Sequence, residues 1–295
     1  MIVHRRALDA ASERTHTPVD ALEVRVAGRH LYDRISHGYV HVGAGLGSAV
    51  FDRVVQAYES VYAVPREIRP LEPMDAPAAR ALLGSRFIDD LVVAIERTFD
   101  LHVIQVDDVG GDCAIQVAGR RVILVGATPN WFFRNWSIAH ELGHMLRGDL
   151  DAATSGQVRP ASPRTLERAA NAFAAELLLP RAELAAVDWV GMGERELADF
   201  VWRSGVSTRA LAQRLASLKL EVAPEVRRLL EVRTVTLVRR GGILVPEPQL
   251  LHARVAEAAT ARFPADLIEA HRLALAAGGG DTASLDWMLR SIAAR

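Results

Sequence analysis

Apolar side chains recur at helical spacing along much of the chain. Between Phe87 and Phe99 four apolar residues stand at intervals of four, which predicts an amphipathic helix over residues 87–99. The same periodicity predicts further helices over residues 5–13, 50–62, 136–146, 163–179, 194–203 and 207–215, and two or three short helices after residue 250. We therefore expect a mainly helical protein.

Short apolar runs bounded by turn residues predict strands. Residues 101–106 form one predicted strand, and residues 113–117 and 121–125 form a predicted hairpin that turns at Gly119 and Arg120. A second hairpin is predicted between residues 235–238 and 243–245, with Arg239-Arg-Gly-Gly242 at its tip. The helices and a small antiparallel sheet together predict an α+β fold.

Proline and glycine mark the boundaries of the predicted regions. Residues 1–70 form an amino-terminal region of unknown role, and the proline-rich stretch from Pro65 to Pro77 is a predicted linker. The other regions are residues 71–186 with the candidate chemistry, 187–221, and a hairpin with helices over 222–295. The glycine-rich segment 42–48 fits a nucleotide-binding turn, but no βαβ unit is evident nearby, so a loop before a helix is preferred.

Composition narrows the class of protein. The 295 residues are 50% apolar, which is enough for a sizeable core, and the net charge of −1 argues against a general nucleic-acid binder. The single cysteine, Cys113, excludes an internal disulfide and a cysteine-based zinc site. Since we find neither a membrane-spanning run nor a secretory signal, we expect a cytoplasmic protein.

The stretch His140-Glu-Leu-Gly-His144 carries the strongest chemical signal. Residues four apart lie on the same face of a helix, so both imidazoles can bind one metal ion. Zinc sites of this kind use the two histidines as ligands and the intervening glutamate, here Glu141, as general base toward water. The alternative is an amphipathic helix whose histidines are solvated or hydrogen-bonded. Ser137 or Asn135 is the predicted amino-terminal cap of this helix.

A catalytic zinc site needs a third protein ligand, and Glu167 is the candidate. Glu167 lies on the next predicted helix, which Pro163 can start and Pro180 ends. Asn171 follows four residues later on the same face and could hold a metal-binding imidazole in place. A surface glutamate beside a solvated asparagine is the alternative. The many alanines around them argue for burial, because small side chains let two helices approach closely.

Two motifs together resemble the ImmA/IrrE metallopeptidase family, namely Ala139-His-Glu-Leu-Gly-His144 and Glu167-Arg-Ala-Ala-Asn-Ala-Phe-Ala-Ala-Glu-Leu-Leu-Leu-Pro180. The resemblance is clear over residues 91–180, looser to about residue 220, and absent before residue 70. It implies a zincin-like peptidase domain in which His140, His144 and Glu167 bind zinc and Glu141 is the base, with manganese a possible substitute in vitro. Similar family members cut helix-turn-helix repressors in stress, mobile-element or phage-defence regulation. The resemblance therefore implies a repressor substrate that is encoded nearby.

Residues 194–215 predict a helix-turn-helix, with a turn at residues 204–206 and Ser207 as the cap of its second helix. From residue 195 to residue 240 the chain has ten basic and five acidic residues. DNA binding, with contacts by Arg209 and Arg214, is therefore one hypothesis. Two packed helices that support the active site are the other, and the sequence favours neither.

Two further alternatives stay open at the level of the sequence. A non-enzymatic DNA-binding or antitoxin-like regulator with a structural or degenerate zinc site competes with the enzyme. The fourth ligand of such a structural site could come from His102 or from the amino-terminal histidines. In the predicted sheet, residues 121–125 or the preceding strand could bind an extended substrate backbone at an edge, or could simply form core.

Overall fold

The structure, a computed structural model, describes residues 49–62, 71–109, 111–150, 163–241 and 248–294, and the backbone of four short strands before residue 42. The strands are β1 (Ile2–Val3), β2 (Val24–Ala27), β3 (His30–Asp33), β4 (Gly38–His41), β5 (His102–Val106), β6 (Cys113–Val117) and β7 (Arg120–Gly126). The helices are α1 (Ala49–Val61), α2 (Ala76–Leu83), α3 (Leu91–Phe99), α4 (Trp131–Leu146), α5 (Pro163–Leu178), α6 (Arg181–Ala185), α7 (Glu194–Ser204), α8 (Thr208–Ser217), α9 (Pro224–Leu230), α10 (Thr234–Arg240), α11 (Pro248–Ala259), α12 (Ala265–Ala276) and α13 (Thr282–Ala293).

Most helices predicted from the apolar periodicity are present. A 3-10 turn, Phe87–Asp90, leads directly into α3, and together they cover the predicted helix over residues 87–99. The helices α1, α5, α7 and α8 begin and end close to their predicted bounds, and three helices follow residue 247. Ser207 caps α8 as predicted, since its Oγ accepts from the Ala210 N–H at 3.1 Å. The predicted helix over residues 5–13 and the glycine-rich segment 42–48 lie outside the described residues.

α4 begins about one turn earlier than predicted. Its cap is Asn130, whose side chain accepts from the Phe133 N–H at 3.2 Å, so the prediction of a cap at Ser137 or Asn135 was wrong. Both of those residues are buried inside the helix. The reason is that Trp131, Phe132 and neighbouring residues extend the apolar face of the helix toward its amino end.

The sheet is mixed and has the strand order β1-β2-β6-β7-β5. β6 and β7 form the predicted antiparallel hairpin, but its two-residue turn is Ala118 and Gly119, with φ of 47° and 70°, one residue earlier than predicted. β5 runs parallel to β7, with His102 opposite Val122, so the prediction of a purely antiparallel sheet was wrong. β7 is paired on both sides because its middle residues are apolar and buried on both faces, which is typical of a central strand.

Helices cover the two faces of the sheet and enclose two apolar cores. One core joins α3, α4 and α5 to side chains such as Val103, Ala114 and Ile123. The other core joins α1, α12 and α13 to side chains of alternating strand positions, such as Ile104 and Ile115. Helices α3, α4 and α5 therefore lie on one side of the sheet, and α1, α12 and α13 lie on the other.

The C-terminal helices are anchored to β5. The backbone of Gln105 pairs with that of Arg262, with N–O distances of 3.0 Å and 2.7 Å, and the guanidinium of Arg262 binds Glu96. Buried Arg134, on α4, binds Glu257 of α11 at 2.9 Å. These contacts join the C-terminal helices to the sheet and to α4 in one fold. In the described part of the chain, every helix is too short or too polar to cross a membrane.

The helix-turn-helix segment packs on α4 and shares its core. Asn135 donates to the carbonyl of Gly205, at the turn between α7 and α8, with an N–O distance of 3.1 Å. Beyond α9, residues 234–240 form the helix α10, so the prediction of a strand over residues 235–238 was wrong, and residues 243–245 lie outside the described residues. The helix buries Leu237 and Val238 against the core, and this packing overrides the β propensity of the valines.

Candidate metal centre

α4 places His140, Glu141 and His144 on the side of the helix that faces the protein interior. The neighbouring Ile138 and Leu142 are fully buried and fix the rotation of the helix. Glu141 and His144 are buried, and His140 is partly exposed. The spacing of four residues brings the two imidazole centroids to 4.9 Å, as expected for one face of a helix.

α5 approaches α4 closely at Gly143, the residue between Leu142 and His144. A methyl group at this position would lie 3.0 Å from the Phe173 ring, closer than side chains normally pack. Buried Ala170 and Ala174 on α5 likewise present small side chains. The close approach carries the buried carboxylate of Glu167 to the two histidines.

The ligand atoms of His140, His144 and Glu167 converge on a single point. The two Nε2 atoms are 3.2 Å apart, and the Glu167 oxygens lie 3.1 Å from His140 Nε2 and 3.3 Å from His144 Nε2. Ligands about 2.0–2.1 Å from a tetrahedral zinc ion lie roughly 3.3 Å from one another. The separations and the donor set of two imidazole nitrogens and one carboxylate therefore fit a zinc ion, and the three residues lie close enough to bind a metal.

Asp149 orients the second histidine. Its Oδ2 accepts from Nδ1 of His144 at 2.8 Å, and both side chains are buried. With its Nδ1 proton held by Asp149, His144 can bind a metal through Nε2 once Nε2 has lost its own proton, and carboxylates usually support metal-binding histidines in this way. Asn171 lies on α5 as predicted and donates to the backbone carbonyl of Glu167 at 2.9 Å. Its predicted contact with an imidazole stays a prediction.

The charges of the cluster stabilise one another. Burial by itself lowers the pKa of His144, but hydrogen bonds to Asp149 and Glu167 raise it to about 10. Burial alone would raise the pKa of Glu167, whereas its hydrogen bonds to His140 and His144 lower it to about 2. The carboxylate is therefore held in the ionised form that a metal ligand requires.

Glu141 has the properties of a buried base. Burial raises its pKa well above the usual value of a glutamate, while the charge of His144 opposes this rise. The Ala114 N–H, on β6, donates to the Glu141 carboxylate. The Oε2 atom of Glu141 is buried and has no hydrogen-bond partner among the described residues, so it can accept a proton.

Sequence reasoning missed Asp149 and Asp112. Asp149 follows His144 by five residues, beyond the end of the helix, where no periodicity marks it. Asp112 comes just before β6 and accepts from the Gly126 N–H at 2.8 Å and from Ser137 of α4. Asp149 lies just beyond the carboxyl end of α4, whereas Asp112 is far from α4 in sequence and reaches it only through the tertiary fold.

Other candidate residues have different roles. His102 is not a fourth ligand, because its Nδ1 binds the Tyr58 hydroxyl at 2.8 Å and its Nε2 binds Asp266 at 3.1 Å. Arg214 points inward, pairing with Glu176 and donating to the Leu179 carbonyl, so the structure does not support its predicted contact with DNA. The histidines before residue 42 are described only as backbone.

Arg209 remains on the surface. It is exposed at the start of α8 and lines a groove between α8 and α10 together with Arg233 and Arg239. Among the described residues, none of these three arginines forms an ion pair. The groove is therefore a basic surface at the place where the sequence predicts the second helix of a helix-turn-helix.

Comparisons with known proteins identify the family of the central part of the chain. Residues 97–216 match the family model of Peptidase M78, described as an IrrE N-terminal-like domain. No curated protein and no solved structure matches the chain. The matched residues include α4, α5, α7 and most of α8, and thus all three candidate ligands and the segment predicted as a helix-turn-helix. Residues 97–216 are therefore similar to the IrrE N-terminal-like domain of the Peptidase M78 family, and this similarity suggests a metallopeptidase role.

Proposed function

We propose that the protein is a zinc-dependent endopeptidase that makes a site-specific cut in a helix-turn-helix repressor and thereby relieves repression. The observation that carries this proposal is the convergence of His140, His144 and Glu167 beside the buried Oε2 of Glu141. A structural zinc site is normally closed by four protein ligands. Within the described residues the cluster offers three, which leaves a position for water or substrate.

The reaction assigns a role to each residue. Zinc, when bound by the cluster, supplies Lewis-acid activation of water and of the scissile carbonyl. His140, His144 and Glu167 hold and orient the ion, and Asp149 keeps His144 in the required tautomer. Glu141 accepts the proton of the attacking water on its buried carboxylate and later returns it to the leaving amine.

The class of substrate comes from the family resemblance. Members that this chain resembles cut helix-turn-helix repressors, so we expect a repressor encoded beside this gene. The buried site favours one specific partner over general degradation, because a substrate segment must enter in an extended form to reach Glu141.

A cleavage assay with a matched pair of variants tests the proposal. Purified protein is incubated with zinc and the neighbouring repressor, and mass spectrometry is used to find a single cut. Glu141→Gln should keep bound zinc and lose about 10²- to 10⁴-fold in rate, the usual contribution of a general base. Glu194→Gln, at an exposed position on α7, should cleave like the wild type. Cleavage at the wild-type rate by Glu141→Gln would refute the assigned base.

A second candidate function is DNA binding, which the groove between α8 and α10 favours. The groove has a volume of about 850 Å³, and its charged lining residues are Arg209, Arg233, Arg239 and the acidic Glu231. Guanidinium groups without acidic partners are suited to phosphate oxygens. This function is compatible with the peptidase and would place the protein at a regulated promoter.

The salt dependence of binding tests this second candidate. With three phosphate contacts, the slope of log K against log salt for duplex DNA should be about −2.7. Arg209→Ala should reduce the slope by about one unit. Arg290→Ala, on α13 and outside the groove, is the matched control and should not change it. Equal binding by the wild type and Arg209→Ala at all salt concentrations would rule out this surface.

A further inference from the structure

The only partner of β6 on the side away from β7, in the described part of the sheet, is the amino-terminal strand β2. β2 runs antiparallel to β6, with Arg25 opposite Gln116, Val26 opposite Ile115, and Ala27 opposite Ala114. Ala114 is also the residue whose N–H donates to Glu141. Neighbouring strands lie about 4.8 Å apart, so the end of β2 lies next to the strand that borders the general base.

This is the position where an extended substrate would pair. β7 is closed on both sides by β5 and β6, and the outer side of β5 is engaged by the backbone of Arg262. In addition, the Gln105 side chain of β5 donates to the carbonyls of Glu257 and Thr260. In the described part of the sheet, the remaining edge beside the metal cluster is therefore the side of β6 that β2 occupies. Peptides commonly bind a protein by adding a strand at such an edge.

The pairing between β2 and β6 extends over few residues. The two strands share three register pairs, whereas β6 and β7 share five. On its other side, in the described part of the sheet, β2 is paired with the two residues of β1. Strands with few backbone pairs open locally at much lower free energy than the centre of a sheet. Of the two strands paired with β6, β2 is thus the one that a competing peptide can replace more easily.

We propose that β2 is an intramolecular occupant of the substrate edge of β6, and that an extended segment of the substrate must displace it before cleavage. The proposal rests on the proposed peptidase function. The partner that fits this edge is an extended peptide running antiparallel to β6, in the direction that β2 runs now. Occupation by β2 keeps the protein in a low-activity state, and a partner that draws the amino-terminal region away activates it.

Proline substitution tests the proposal, because proline lacks the N–H that a strand ladder needs. Successive N–H groups point to opposite sides of a strand, so replacing both Arg25 and Val26 removes one that faces β6. If β2 leaves the edge open about one-tenth of the time, the double variant should raise kcat/KM for the repressor about tenfold. The matched control is Leu31→Pro with Tyr32→Pro in β3, which belongs to the separate sheet of β3 and β4. The control should not change the rate.

A binding experiment avoids dependence on catalysis. The probe is a synthetic peptide with the sequence of residues 22–29, added to proteins that also carry Glu141→Gln. The double-proline protein should bind the peptide about tenfold more tightly than the protein with its own β2, and should gain hydrogen-exchange protection in residues 113–117. A peptide with proline at the positions of Arg25 and Val26 should not bind. Equal binding to both proteins, or binding to neither, would overturn the proposal.

A third measurement uses the unaltered β2 and so does not depend on the folding of a variant with proline in β2. When the repressor saturates the Glu141→Gln protein, amides of residues 24–27 should exchange faster while those of β6 stay protected. Continued protection of β2 in that complex would also overturn the proposal. Peptide exchange at β6 without cleavage of any repressor would instead contradict the proposed function and leave the displaceable strand in place.

Discussion

Two clusters of histidine and carboxylate side chains lie on opposite sides of the sheet, and they differ in where their polar atoms point. The metal cluster consists of His140, His144 and Glu167, and its three candidate ligand atoms all lie within 4.8 Å of one another. The His102 cluster consists of Tyr58, His102 and Asp266, and its hydrogen bonds run in a line from α1 through β5 to α12.

The direction of the hydrogen bonds explains the different roles. Burial raises the pKa of Tyr58 well above its usual value, so its hydroxyl stays protonated. The hydroxyl then donates a hydrogen bond to Nδ1 of His102. Nε2 of His102 then donates to Asp266, so both ring nitrogens are used within the protein. In the metal cluster, Asp149 engages one nitrogen of His144, and the other faces His140 and Glu167. Similar side chains thus join helices in one cluster and lie close enough to bind a metal in the other.

The largest expected effect comes from removing one histidine of each cluster. His140→Ala should lose its zinc on dialysis, because two ligands remain of a site that needs three. His102→Ala should keep the zinc and lose only stability, through the broken contact between α1 and α12. Elemental analysis of zinc per chain measures both variants. Loss of zinc from His102→Ala, or its retention by His140→Ala, would contradict the division of roles.

A smaller effect is expected from replacing the aspartate that hydrogen-bonds to a histidine in each cluster, Asp149 at His144 and Asp266 at His102. Asp149→Asn should weaken zinc binding about 10- to 100-fold, because the orienting acceptor of His144 loses its charge. Asp266→Asn makes the same chemical change in the His102 cluster and should leave zinc affinity unaltered. Competition with a chelator gives both affinities. A change below about twofold for Asp149→Asn would show that His144 is oriented by packing alone.

A methyl group at Gly143 tests whether the convergence depends on the close contact between helices. Gly143→Ala places a Cβ 3.0 Å from the Phe173 ring, so the buried Phe173 side chain must give by a few tenths of an ångström. We expect a loss of about 1–3 kcal/mol in the free energy of unfolding, as for overpacked cores, together with weaker zinc binding. Gly193→Ala is the control, because its Cβ would meet its nearest atom at 3.7 Å. Denaturant unfolding measures the stability. Unchanged zinc affinity in Gly143→Ala would show that the positions of the candidate ligands do not depend on the close contact between α4 and α5.

The smallest effect concerns the acid stability of the His102 cluster. The hydrogen bond from His102 holds the pKa of Asp266 below its usual value. A lowered pKa in the folded state stabilises the protein above the unfolded pKa of about 3.9 and loses this effect as the pH falls further. Asp266→Asn should therefore cost about 0.2–1 kcal/mol near pH 7, since the carboxylate is largely exposed, and little below pH 3. A difference between the two proteins that stayed constant from pH 7 to pH 2 would rule out this linkage.

The sequence predicted that His140 and His144 lie together because local geometry fixes their positions. Four residues separate His140 and His144, and a helix converts that spacing into a shared face without help from the rest of the fold. The motif at Glu167 added the family resemblance, which the match over residues 97–216 confirms. Positions that depend on distant contacts were harder. The helix α10 was predicted as a strand because its valines favour one. Arg214 was a candidate for contact with DNA, and no local pattern indicates that it pairs with Glu176 on the distant helix α5.

The sequence by itself determined most of the long helices, the hairpin of β6 and β7, and the shared helix face of His140 and His144, since each follows from spacing or turn chemistry within a few residues. The tertiary structure decided the strand order, the choice of Asp149 as the partner of His144, and the pairing of β2 with β6. These features join residues that are far apart in the chain or lie beyond the end of a regular element. The packing of helices on both faces of the sheet brings such residues together, so a local sequence pattern could not predict these contacts.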